Sequence, residues 1–113
     1  MKNRKELQEA YKHMKPTMGV FQIKNKMNGK LLIEGSTDIF SKWNRHRTEL
    51  RFGSHRNLPL QRDWKNLGEE NFLFSILSEL EIKEEETLDP KTEVKLLTEM
   101  VQEELNIKEE MKY

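Results

Sequence analysis

The chain has 113 residues, 20 Lys and Arg against 20 Asp and Glu, and no cysteine. That length predicts one domain with a modest core, and the missing thiols exclude disulfides and Cys-based zinc sites. No apolar run approaches the ~18 residues that span a bilayer, and the charged N-terminus lacks the apolar centre of a signal peptide, so the expected setting is cytoplasmic with no membrane partner.

The balanced charge hides an asymmetry. Residues 1–68 carry 15 cations against 6 carboxylates, and residues 69–113 carry 5 against 14. Five of the six arginines (Arg45, Arg47, Arg51, Arg56 and Arg62) fall between Lys42 and Arg62, together with His46 and His55. This window either forms a phosphate-binding surface or pairs with the acidic C-terminal half.

Taken in order, residues 3–15 read as a short amphipathic helix with Leu7, Tyr11 and Met14 at helical spacing, ended by Pro16. Residues 1–17 are thus an N-terminal helical extension. Val20 to Lys24 and Leu31 to Ile33 are β-prone, and Asn28-Gly29 between them predicts a two-residue type I′ turn. Paired positions then sum to 57, which sets Ile23 opposite Glu34 and Phe21 opposite Ser36. Alternation places Phe21, Ile23, Leu32 and Glu34 on one face.

Ser36-Thr37-Asp38 offers N-caps for a helix to about Arg51, on which Lys42 and His46 reach the same side. Asn57 caps a second helix with Pro59 in its first turn and Gly68 past its end. Asn71 to Ser78, with Phe72, Phe74 and Ile76 on one face and Leu73 and Leu77 on the other, reads as a third strand, expected at the centre of the sheet. After an acidic connection, Asp89-Pro90 opens a terminal helix with a Val94, Leu97, Val101 and Leu105 stripe. Residues 18–106 form the domain, and 107–113 are expected to fray. The fold class is α+β, a small three-stranded antiparallel or mixed sheet flanked by helices.

Several of these residues carry a resemblance. Gly19-Val20-Phe21, ten residues, then Leu32-Ile33-Glu34, followed by Lys42-Trp43-Asn44-Arg45-His46 on a helix, resembles the GIY-YIG nuclease family. The match continues through Gly53-Ser54-His55-Arg56-Asn57, Leu60-Gln61-Arg62 and Gly68-Glu69-Glu70-Asn71-Phe72, covering roughly residues 18–80. The resemblance implies hydrolysis of a DNA phosphodiester with one divalent ion, Mg²⁺ or Mn²⁺, held by a glutamate on the last helix. Two tyrosines, an arginine and often a histidine surround the phosphate.

Carried across, the tyrosine positions fall on Phe21 and Leu32, which have no hydroxyl. The glycine of the second motif falls on Glu34, whose carboxylate should repel phosphate unless a metal bridges them. The arginine position is Lys42, and the histidine is retained as His46. The metal-ligand position falls on Thr98, beside Glu99; threonine is a poor sole anchor for Mg²⁺, and Glu34 is a further candidate ligand. The leading expectation is a catalytically impaired domain that binds DNA through Arg45, Arg47, Arg51, His55, Arg56 and Arg62. The alternatives are an active metal-dependent endonuclease with His46 as base, and a protein-interaction module docking through the charge asymmetry. Oligomeric state is not legible.

Overall fold

The computed structural model describes residues 16–81 and 89–113. The expected helix at residues 3–15 and the acidic run Glu84-Glu85-Glu86 lie outside them. The described elements are strand β1 (Met18–Asn25), strand β2 (Leu31–Ser36), helix α1 (Ile39–Phe52), helix α2 (Leu58–Leu67), strand β3 (Phe72–Leu80) and helix α3 (Pro90–Leu105). None of these helices is long and apolar enough to cross a membrane.

Local chemistry sets the helix ends where the sequence places them. Asp38 accepts from the Ser41 amide at 3.2 Å, Asn57 from Leu60 at 3.1 Å and Asp89 from Lys91 at 3.3 Å. Each carboxylate or amide thus satisfies one of the donors a helix start leaves open. Gly53, at φ 77°, closes α1 in the left-handed conformation and turns the chain towards His55.

The sheet is antiparallel throughout, in the order β2-β1-β3. β1 is therefore the central strand, and the expectation that β3 occupies the centre is corrected. Both carry apolar residues on two faces, so pattern alone does not rank them. What decides is that β1 has hydrogen-bonded neighbours on both sides, leaving Val20, Phe21, Ile23 and Asn25 fully buried.

The hairpin register also differs from expectation. Opposed positions sum to 55, with Phe21 facing Glu34 and Ile23 facing Leu32. Strand pairing stops at Asn25, whose amide donates to Lys30 O at 2.8 Å, and Lys26 to Gly29 form a four-residue loop in place of the two-residue turn. Asn25 ends the strand because its side chain is committed: Oδ1 accepts from the Met27 amide at 2.9 Å, and Nδ2 donates to the Tyr113 hydroxyl at 2.9 Å. A slip of two residues leaves side-chain faces unchanged. Phe21, Ile23, Leu32 and Glu34 accordingly share a face.

That face packs on α1 and α2 in a core of Phe21, Ile23, Ile39, Leu50, Leu60, Trp64 and Phe72. The opposite face is covered by α3: a Cβ on Gly35 would come within 2.8 Å of Val94 and 2.1 Å of Thr98 Oγ1. The tail does not fray after Asn106. The Tyr113 amide donates to Leu31 O at 3.0 Å, and its hydroxyl donates to Asp63 at 2.7 Å. One aromatic side chain thereby joins the hairpin end to α2, which holds residues 107–113 against the sheet edge.

Candidate active site

Glu34 projects from β2 towards α1, where Lys42 and His46, one helical turn apart, meet it. The His46 Nε2–H donates to Glu34 Oε2, and Lys42 Nζ lies 3.5 Å from Glu34 Oε1. The Gly53 turn brings His55 alongside, with its Nε2 at 2.7 Å from His46 Nδ1. The edge of the buried Phe21 ring supports His46, at 6.1 Å between centroids. Glu34, Lys42, His46, His55 and Leu32, with Arg45, Arg56, Glu49 and Asn57 at the rim, enclose a cleft of about 200 Å³.

The hydrogen-bond chain assigns the tautomers. The Asn57 amide donates to His55 Nδ1 at 3.0 Å, so a neutral His55 carries its proton on Nε2 and donates to His46 Nδ1. His46 in turn carries its proton on Nε2 and donates to Glu34. Both nitrogens of His46 are engaged, Nδ1 as acceptor from His55 and Nε2 as donor to Glu34. As placed, it does not offer the free lone pair of a general base.

Burial works to raise the Glu34 carboxyl, but the hydrogen bond from His46 and the nearby Lys42 ammonium outweigh it and hold Glu34 below its ordinary value of 4.5. Burial, reinforced by His46, pushes His55 below its ordinary 6.5. Each group binds fewer protons folded than unfolded, so each adds stability that is present above its ordinary pKa and lost as pH falls. Urea midpoints should therefore decline on acidification from about pH 7 to about pH 5 through His55, and further below pH 4.5 through Glu34. A His55→Gln variant should lose the first decline and keep the second. A flat wild-type profile from about pH 7 to about pH 5 contradicts the assignment.

The candidate metal ligands are not brought together. Neighbouring residues of a strand point to opposite faces, so Glu34 faces α1 whereas Gly35 faces Thr98 on α3. The Thr98 hydroxyl donates to Val94 O at 2.7 Å, and Glu99 is exposed. The Glu34 oxygens are taken by Lys42 and His46, and among the described residues no group of three or more His, Asp or Glu could hold a metal ion. This donor set does not fit a divalent cation.

The predicted basic surface is largely self-engaged. Arg45 Nε pairs with Glu49 at 3.0 Å, and Arg51 forks onto Glu69 at 2.6 and 2.8 Å. Arg47 lies over the Trp43 ring at 5.6 Å with its Nε buried, and His55 is only 5% exposed. Arg56 and Arg62 remain solvent-facing. Among the described residues, Arg51–Glu69 is the ion pair that joins the basic and acidic halves, so the cations around the cleft are not broadly neutralised by the C-terminal half.

A second depression, of about 440 Å³, runs between the end of β2 and α3 and shares Lys42 with the cleft. Lys91 and Lys95 line it, and both lie outside the arginine-rich window, within the acidic half of the chain. Their four-residue spacing, which puts them on one side of α3, is the signal that could have found them.

No family model matches the chain. Intron-associated endonuclease 1 of Enterobacteria phage T4 is 37% identical over 62 residues, which are 55% of this chain and 25% of that protein. The chain therefore spans about a quarter of the length of that curated relative. Among solved structures, a glutamate-to-alanine variant of the catalytic domain of intron endonuclease I-TevI is 30% identical, with a TM-score of 0.63 over 80% of this chain and 84% of the other. A second structure of the catalytic domain of homing endonuclease I-TevI is 29% identical, with a TM-score of 0.62 over 79% and 88%. A strand-loop-strand-helix unit that gathers Phe21, Leu32, Glu34, Lys42 and His46 on one face, and that superposes on a homing-endonuclease catalytic domain over most of both chains, places this chain in the GIY-YIG nuclease family.

Proposed function

We propose that this GIY-YIG domain is catalytically impaired and acts by binding the phosphate backbone of DNA. The observation that carries the reading is the seating of the Glu34 carboxylate between Lys42 and His46, inside the cleft where the resemblance implies a phosphate. A negative charge already occupies the cations there, and a phosphoryl group entering the cleft would meet it at close range. Phe21 and Leu32 supply no hydroxyl beside it, and the Glu34, Thr98 and Glu99 set does not fit a metal. Loss of one group that stabilises a transition state commonly costs a factor of ~100 to ~1,000, and losses within one constellation act as a unit. Binding needs less than chemistry, because backbone contacts ask only for exposed cations, and Arg56 at the cleft rim and the exposed Arg62 on α2 supply them.

A supercoiled-plasmid nicking assay with Mg²⁺ or Mn²⁺, run beside gel shifts in rising salt, tests both halves. The expected result is no nicking above the protein-free rate together with retardation that weakens steeply with salt. Metal-dependent nicking that a His46→Ala variant abolishes overturns the impairment. Absence of any shift at low salt overturns the binding.

A further inference from the structure

We infer that the groove between the end of β2 and α3 is a phosphodiester-binding track, in which Lys42, Lys91 and Lys95 supply covalently attached positive charge and no divalent ion is needed. The inference rests on the nucleic-acid reading above and names the surface that takes the backbone.

The two depressions that meet at Lys42 differ in charge and in room. The histidine cleft is the smaller, at about 200 Å³, and has the Glu34 carboxylate inside it. The groove is about 440 Å³, and its charged lining is three lysines against the single carboxylate of Glu99. Lys91 and Lys95 stand one turn apart on α3, both exposed, facing the end of β2 and Lys42, which reaches in from α1. Spaced ammonium groups on both walls suit a linear run of phosphates better than one isolated anion, because each lysine offers a compact charge with rotatable donors and no fixed bidentate geometry.

The floor is polar as well. Ser36 and Thr37 line it, and the Ser36 hydroxyl oxygen accepts from the Asp38 amide at 2.9 Å, which orients that oxygen while leaving its proton to donate to a phosphoryl oxygen. Thr98 also lines the groove, and its hydroxyl is turned to the helix carbonyl of Val94, so the wall has no carboxylate at that point to oppose phosphate. Lys42 links the two depressions: its tie to Glu34 orients it at the junction, and at 35% side-chain exposure it remains open to an anion on the groove side.

The test is fluorescence anisotropy of a labelled DNA duplex, titrated in EDTA at several salt concentrations. It compares wild type, Lys91→Ala/Lys95→Ala, Lys95→Glu and Arg56→Ala/Arg62→Ala, with circular dichroism confirming that each is folded. Wild type is expected to bind equally well in EDTA and in Mg²⁺. The double lysine variant should lose about tenfold or more in affinity, and the slope of log affinity against log salt should fall by about two, one for each lysine that no longer meets a phosphate. Lys95→Glu should lose at least as much. Wild-type binding that Lys91→Ala/Lys95→Ala leaves unchanged, while Arg56→Ala/Arg62→Ala weakens it, overturns the groove and leaves the nucleic-acid reading standing. Binding that appears only with Mg²⁺ overturns the metal-independent track. No wild-type binding under any condition overturns the nucleic-acid reading itself.

Discussion

Gly19→Ala is expected to destabilise the domain by about 3–5 kcal/mol, a large share of what holds a chain of this size folded. Gly19 sits at φ 149°, and an added Cβ would lie 2.1 Å from Ser78 O and 2.9 Å from Glu79 Cα. Those are backbone atoms of β3, which pairs there with Gly19 and Val20, just before the shift in register between Val20 and Phe21. They cannot retreat without parting the central strand from its neighbour, so overpacking adds to the strain of a conformation that L-residues avoid. Gly53 is the natural control. At φ 77° with nothing within 4 Å of a built Cβ, alanine there carries backbone strain alone, about 1 kcal/mol. Urea denaturation of both variants decides the matter, and a Gly19→Ala cost near that of Gly53→Ala would refute the steric account.

Phe21→Ala should cost a similar amount, about 3–5 kcal/mol, for a different reason. Its ring is fully buried at the centre of the core, tilted against Phe74 at 5.6 Å and edge-on to His46 at 6.1 Å. Truncation leaves a cavity walled by rigid strand and helix residues, which cannot collapse to fill it. The consequence reaches the cleft, because the ring that supports His46 disappears. Histidine ring resonances should therefore move in Phe21→Ala, and a Phe21→Leu variant, which refills most of the volume, should recover most of the stability. A Phe21→Ala cost below about 1 kcal/mol would mean that the core tolerates the void.

How far the site was legible follows from the range of the interactions involved. Lys42 and His46 are readable as neighbours, and Glu34 as a member of the Phe21 and Leu32 face, because the helical repeat and strand alternation are local periodicities. The pairing of His46 with His55 is not readable: nine residues separate them, and the contact depends on the left-handed turn at Gly53 and on the Asn57 amide that fixes the His55 tautomer. Arg45, Arg47 and Arg51 look alike as cations in the sequence, yet each meets a different fate, paired to Glu49, stacked on Trp43 or forked onto Glu69. Thr98 is placed on the last helix by the resemblance, but its separation from Glu34 appears only once Gly35 is seen to pack beneath it.

The helix starts at Asn57 and Asp89, the choice of a cap within Ser36-Thr37-Asp38, and the shared face of Phe21, Ile23, Leu32 and Glu34 are all written in the sequence. Caps and alternation act within a few residues and need no distant partner. Only the tertiary structure decided that β1 is central, that the hairpin closes on Asn25 with a four-residue loop, and that Tyr113 holds the tail in place. It also decided that Glu34 is held by Lys42 and His46, leaving the lysines of α3 open to a phosphate. Such outcomes are choices among partners far apart in the chain, and they are settled by which pairings bury the most apolar surface while leaving few buried polar groups without a partner.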